Sequence, residues 1–346
     1  MVCRGRWLQV VFTRPEVFDP DYIPETLLYR SPELEEISSC IKPALVGRRA
    51  SNAKVFGNPA TGKTTAVKLL MEQLRDHPKV ALAYVNCKFN GDRQSIISRI
   101  HEEVNGHAPG QVTSFTRICD AVFRRLVRDR RFLVVALDDV NYVHGVSDVL
   151  YILLRAHETY PGARVSVIAI ASSPYFRARL EARVASSFVA REVYFRPYTR
   201  DEIREILRRR AQLGFAPGAL AVDALEAVVD LAEEHDLRYG IELLRECGEV
   251  AEEENSREIR QEHVKRAGER LHAAERYDIP RGCEAILQVL DEEKGRCMGE
   301  VYSLVREEVG SYSTFKRRVK ELERLGKIKA EEVYNRGRTR LLYLVS

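Results

Sequence analysis

The chain has 346 residues, 45% hydrophobic and 31% charged, with a net charge of +4. That balance excludes a disordered or fibrous chain, and the length calls for two or three globular domains. No apolar run approaches the roughly 18 residues that suggest a membrane span, residues 1–12 hold an apolar stretch too short for a signal peptide, and the expected setting is a reducing cytoplasm with no membrane partner. Seven cysteines (Cys3, Cys40, Cys87, Cys119, Cys247, Cys283, Cys297) are scattered and never form C-x-x-C, so neither zinc nor a disulfide framework is expected.

From about 50 to 195, apolar strand-like runs alternate with helical stretches, the rhythm of an α/β parallel sheet covered by helices. Val55 and Phe56 lead into Gly57-Asn58-Pro59-Ala60-Thr61-Gly62-Lys63-Thr64-Thr65. This is G-x-x-x-x-G-K-T, the phosphate-binding loop. Its backbone N–H groups curl inward toward phosphate oxygens, and the following helix adds the partial positive charge of its N-terminus. Lys63 is expected to reach the β- and γ-phosphates of ATP or ADP, and the Thr64 hydroxyl to ligate Mg²⁺. Val67, Leu70 and Leu74 give that helix an apolar face. Further strands are expected at Val80–Val85, Phe132–Leu137, Val165–Ala171 and Glu192–Phe195. Phe132–Leu137 is apolar throughout, as a central strand buried on both faces requires. Asp138 and Asp139 follow it in the Walker B position. There Asp138 would hold the metal and Asp139 would polarise the attacking water.

From about 196 to 275 the pattern is helical. Thr199 and Glu202 form a capping box, Ile203, Ile206 and Leu207 continue its inner face, and Gly214 can close the helix. The segment 252–262 is strongly charged and expected to be solvated. Tyr277–Gly282 is a plausible boundary. Beyond it, helices fit 284–292, 299–309 and 313–325, followed by strands at 327–334 and 339–345 around a turn at Asn335–Arg338. Three helices and a basic hairpin describe a winged helix. The expected domains are therefore an α/β nucleotide-binding domain (1–195), a helical lid (196–276) and a winged helix (277–346).

Residues 311–346 hold ten basic and four acidic side chains, a local charge of +6 that exceeds the whole chain's +4. Phe315, Val319 and Leu322 define the inner face of the expected recognition helix. Lys316, Arg317 and Lys320 project elsewhere. Ser311 and Ser313 can cap its N-terminus, and Arg336 and Arg338 stand at the hairpin tip. These are the candidate contacts to double-stranded DNA.

Taken together, these motifs resemble the archaeal origin-recognition and cell-division-cycle replication initiators of the AAA+ ATPase family. The resemblance extends over nearly the whole length. It is carried by the phosphate loop, the Asp-Asp pair, the N-terminal run Phe18–Arg30, and Phe195-Arg196-Pro197-Tyr198-Thr199 followed by Ile206–Arg210. It implies nucleotide contacts at Tyr22, Tyr198 and Arg210, and a γ-phosphate sensor at Ser172. It implies an arginine finger at Arg183 for a neighbour's nucleotide, and a second sensor at Arg238 in the lid. The family also places a DNA-touching helical element between 90 and 130, where Arg93, Arg99, Thr113, Ser114 and Arg117 are candidates. The implied function is binding of duplex DNA at replication origins by a nucleoid-associated protein. Slow Mg²⁺-dependent ATP hydrolysis would serve as a switch, with related initiator subunits and a replicative helicase as partners. The competing expectations are a nucleotide-regulated winged-helix transcription regulator, a clamp-loader or helicase-type ATPase, and a signalling ATPase whose terminal module binds protein.

Overall fold

The computed structural model describes residues 11–110, 113–143, 145–172, 180–277, 283–290, 295–334 and 338–344. The chain divides into two compact units, Met1–Val264 and Lys265–Ser346. The first carries β1 (Asn52–Phe56), β2 (Val80–Asn86), β3 (Phe132–Asp138), β4 (Val165–Ala171) and β5 (Ala190–Tyr194), with helices α1 (Ser31–Leu45), α2 (Lys63–Leu74), α3 (Arg93–Asn105), α4 (Phe115–Arg128), α5 (Val146–Leu154), α6 (Ala156–Thr159) and α7 (Ala182–Ser187). The five strands form one parallel sheet in the order β2-β3-β4-β1-β5. All seven residues of β3 are buried. Because side chains alternate along a strand, Leu133, Val135 and Leu137 enter the layer built by α3, α4, α5 and α7, whereas Val134 and Ala136 enter the layer built by α1 and α2. Asp138 continues the even-numbered face, so it emerges on the side covered by α2. That alternation brings the acid to the phosphate loop.

One strand departs from the apolar pattern. Lys54 lies in the middle of β1 at 4% exposure. Its cross-strand neighbour on β5 is Glu192, and the two side chains pair at 3.0 Å, which makes burial of the ammonium tolerable.

After β5 the chain is helical: α8 (Arg200–Gly214), α9 (Val222–Glu234), α10 (Leu237–Glu253) and α11 (Gln261–Tyr277). The capping box at Thr199 and Glu202 is present. Gly214 does not act as a left-handed stop. It is the last residue of α8, and a Cβ there would stand 2.2 Å from the Phe18 ring, so its role is close approach. Phe12, Phe18 and Phe215 cluster around it with ring centroids 4.6 to 5.9 Å apart, fastening the N-terminal segment to the helices. The charged stretch 252–262 is not simply solvated. A Glu252 carboxylate oxygen accepts from the Val11 N–H at 2.9 Å, and Ile259 is fully buried and bridges to Leu220. No helix among the described residues is long and apolar enough to cross a membrane.

The second unit contains α12 (Glu284–Val289), β6 (Arg296–Cys297), α13 (Met298–Val309), α14 (Tyr312–Arg324), β7 (Ile328–Tyr334) and β8 (Arg338–Leu344). The strands form an antiparallel sheet in the order β6-β8-β7. Ile286, Val301, Val305, Phe315, Val319, Leu322 and Leu342 fill its core, the arrangement of a winged helix. The two-residue strand β6 carries no periodicity and is visible only through its pairing with β8. The expected boundary falls mostly on 278–282, and Arg336 on 335–337. Both lie outside the described residues.

Candidate nucleotide site and nucleic-acid face

The carboxyl ends of β1, β3 and β4 meet at one edge of the parallel sheet, where open α/β sheets bind ligands. The phosphate loop leaves β1 and enters α2 at Lys63. Gly62 adopts φ 88°, and a Cβ there would stand 2.8 Å from the Tyr198 hydroxyl oxygen, so glycine is required on both counts. Ala60 also has a positive φ of 57°. Lys63 Nζ donates to the carbonyl oxygens of Gly57 (2.8 Å) and Asn58 (2.5 Å), with Thr61 Oγ1 at 3.5 Å. Asn58 and Pro59 are exposed at the loop's crest, Thr61 is buried, and Thr64 and Thr65 are half-buried on the first turn of α2. Burial, then the nearby positive charge of Arg238, pulls the Lys63 ammonium below its ordinary pKa, while Asp138 and Asp139 act the other way.

Asp138 is 3% exposed and gathers three donors. Its Oδ2 accepts from Thr64 Oγ1 at 2.9 Å and from the Tyr84 hydroxyl at 2.6 Å, and its Oδ1 accepts from the Asp139 N–H at 3.0 Å. Burial, then the charge of Asp138, pushes the Asp139 carboxyl up, against the opposing effect of Arg238, Lys88 and Lys63. Among the described residues no group of three or more His, Cys, Asp or Glu side chains could hold a metal. Thr64 and Asp138 instead offer two adjacent hard oxygen donors. Such a partial set fits Mg²⁺, which takes one or two carboxylates and completes its octahedron with water and substrate phosphate.

No motif singles out Arg30, yet it ties together the segments around the phosphate loop. It is completely buried. Its Nε donates to the Thr61 carbonyl at 3.0 Å, its Nη2 to the Arg196 carbonyl at 2.5 Å, and its Nη1 to Glu33 Oε1 at 3.2 Å. The guanidinium also lies 3.9 Å from the centroid of the Tyr198 ring. One side chain thus joins the N-terminal segment, the phosphate loop and the connection from β5 to α8. Its only signal in the sequence is its place at the end of the Phe18–Arg30 run.

Tyr198 is therefore brought against the loop. Tyr22 and Arg210 are brought to each other: the guanidinium sits 4.7 Å from the ring centroid, and Nη1 donates to the Val17 carbonyl at 2.6 Å. Arg238 stands in the first turn of α10, close enough to Lys63 and Asp139 to perturb both. Ser172 is exposed just beyond β4, and its hydroxyl accepts from Asn141 Nδ2 at 2.8 Å. Asn141 is thus a polar neighbour that no motif indicated. Arg183 keeps different company, paired with Glu181 at 2.7 Å and Asp148 at 3.6 Å over the Tyr151 ring. In the stretch 90–130, Arg99 is engaged by Glu102 and Glu103, and Arg93 by Asp148 and the Phe115 ring.

In the second unit, Ser311 caps α14 by accepting from the Thr314 N–H at 3.2 Å. Lys316, Arg317 and Lys320 are exposed, and among the described residues none of them pairs with a carboxylate. Arg324, Lys329 and Arg340, by contrast, pair with Glu321, Glu331 and Glu323. Arg338 is the first residue of β8.

The chain matches the AAA domain family model over residues 47–180 and the Cdc6 AAA+ ATPase-type lid domain model over residues 204–269. It is 39% identical over 327 residues to ORC1-type DNA replication protein 2 of Methanothermobacter thermautotrophicus, an alignment covering 91% of this chain and 86% of that one. It is 37% identical to ORC1-type DNA replication protein 6 of Halobacterium salinarum, with 98% and 94% covered. Among solved structures, the Aeropyrum pernix ORC1 protein in complex with DNA superposes with a TM-score of 0.80 at 29% identity, covering 96% of this chain and 94% of that one. The Thermotoga maritima RuvB branch migration motor shares the fold, with a TM-score of 0.54 at 14% identity.

Proposed function

This chain belongs to the ORC1-type DNA replication proteins, and from that premise we propose that it is a replication initiator that binds ATP or ADP and grips duplex DNA at replication origins. The phosphate loop holds the nucleotide with Lys63 on its phosphates. Thr64 and Asp138 would hold Mg²⁺, which when bound would neutralise phosphate charge. Asp139 orients the water for a slow hydrolysis. Ser172 and Arg238 read the γ-phosphate from the sheet and from the lid, Tyr22, Tyr198 and Arg210 line the nucleotide, and Arg183 serves a neighbouring subunit's site. Lid angle then follows nucleotide state, which makes turnover a switch. The domains act as 1–195, 196–276 and 277–346. Lys316, Arg317 and Lys320, with Arg336 and Arg338 at the wing, contact DNA. Related initiator subunits and a replicative helicase are its partners on the nucleoid in the cytoplasm.

The single observation that carries this reading is the Thr64–Asp138 hydrogen bond. It joins the phosphate loop to the Walker B strand across 74 residues of sequence, as nucleotide-dependent phosphate chemistry requires. The test combines genome-wide footprinting with mass spectrometry of nucleotide released from the purified protein. Protection at origins and released ADP or ATP are the expected results. Footprints confined to promoters would transfer the function to transcription.

A further inference from the structure

We propose that Tyr84 is a positioning residue for the metal site: its hydroxyl, 2.6 Å from Asp138 Oδ2, holds that carboxylate in the one orientation that also receives the Thr64 hydroxyl. The inference rests on the nucleotide reading above and assigns a role to a side chain outside the phosphate loop and the Asp-Asp pair.

Strand register puts Tyr84 there. In the parallel β2–β3 pair, Tyr84 is aligned with Ala136 and Asn86 with Asp138. Side chains two apart share a face, so Tyr84 and Asp138 both project toward α2, and the long phenol reaches diagonally to the acid. The ring is held from the helix side as well. Lys68 lies one turn beyond Thr64 on α2, and its Nζ stands 5.0 Å from the Tyr84 centroid. A carboxylate can only accept, so the phenol hydroxyl is the donor of this hydrogen bond.

A hydroxyl that gives its proton to Asp138 turns its lone pairs away from Asp138. The orientation of the Asp138 carboxylate therefore decides where the Thr64 lone pairs point, and those lone pairs are the donors a cation needs. With Tyr84 and Thr64 both donating to Oδ2, and the Asp139 N–H donating to Oδ1, the carboxylate cannot rotate without losing three hydrogen bonds. Without the phenol, one of those restraints is gone and the buried oxygen is underpaired. Outer groups that orient metal ligands typically contribute about 10- to 100-fold in metal affinity.

The test is Tyr84→Phe, which removes a single oxygen and leaves the ring beneath Lys68. Binding of a fluorescent ADP analogue is measured with EDTA and across a Mg²⁺ titration, alongside thermal unfolding without nucleotide. The expected result is unchanged affinity in EDTA, an unfolding temperature close to wild type, and a Mg²⁺ midpoint raised about 10-fold. In an Asp138→Ala background, Tyr84→Phe should change nothing further, because its effect passes through that carboxylate. A midpoint within twofold of wild type, an equal loss in EDTA and Mg²⁺, or a full additional loss in the Asp138→Ala background would each overturn the inference. Wild-type protein that binds the analogue in neither condition would overturn the nucleotide reading itself, a result distinct from failure of the Tyr84 role.

Discussion

The nucleotide site and the basic face of the second unit use charge in opposite ways. In the nucleotide site three charged side chains are withdrawn from solvent and bonded to fixed partners: Arg30 to four oxygens, Lys63 to its own loop carbonyls, Asp138 to three donors. In the second, Lys316, Arg317 and Lys320 point into water. A buried, prebonded charge acts through geometry and is little affected by salt. An exposed one acts through the long-range field and is screened within a Debye length of about 10 Å at 0.1 M salt. The contrast suits the two ligands, since one nucleotide needs a single pose and a duplex need only be held along its backbone.

The largest effect is expected at the buried side of this contrast. Arg30→Met should lower stability by about 3–5 kcal/mol, because it leaves Glu33 and three carbonyls without their donor. Denaturant midpoints measure this, and Arg30→Lys should recover only part, since an ammonium cannot reproduce the planar fork. Next, Lys63→Ala should weaken nucleotide binding by about 1.5–3 kcal/mol, the usual contribution of hydrogen bonds to a charged group, while leaving DNA affinity unchanged. Equal loss of both ligands from folded protein would erase the distinction between the two regions. On the exposed side, replacing Lys316, Arg317 and Lys320 together by Ala should flatten the slope of log K against log salt by about 2.7, at ~0.9 per phosphate contact. Fluorescence anisotropy over a salt series reads that slope, and nucleotide affinity should not move.

The smallest effect is expected at Glu202. The hydrogen bond from Arg196 is the main cause that depresses its carboxyl from 4.5 to about 2. Its contribution to stability is therefore complete above the ordinary carboxylate range and is lost as pH falls from about 4.5 toward 2. Glu202→Gln keeps the capping-box acceptor but removes the charge that Arg196 faces. It should cost about 1 kcal/mol at neutral pH, the upper end for a partly exposed ion pair, and should converge with wild type in acid. Urea midpoints across that pH range provide the check. A gap that persists in acid would mean that Glu202 acts by packing rather than by charge.

Local chemistry explains which features were readable in advance. Gly57–Thr65, the buried run ending in Asp138, the Thr199–Glu202 box and the Phe315–Val319–Leu322 face each lie within a dozen residues, where spacing alone specifies conformation. Tyr22, Tyr198, Arg210 and Arg238 came only through family resemblance, because no local pattern joins them. Gly214 was read as a helix stop when it is the seat of the Phe18 ring, a contact spanning 196 positions. The stretch 252–262 was read as solvated because its charges hide Ile259 and the Glu252 carboxylate that holds the N-terminal backbone.

From its residues alone, this protein's chain determined the alternation of strand and helix, the phosphate loop, the acids that follow β3 and the basic C-terminal helix, because each depends on side-chain type and spacing along one element. Tertiary structure decided that Arg30 joins the phosphate loop to the β5–α8 connection, that the Tyr84 hydroxyl meets Asp138, and that Asn141 meets Ser172. Those outcomes depend on strand order and register, which bring segments tens to hundreds of residues apart within hydrogen-bonding distance, and no periodicity within a single element encodes that approach.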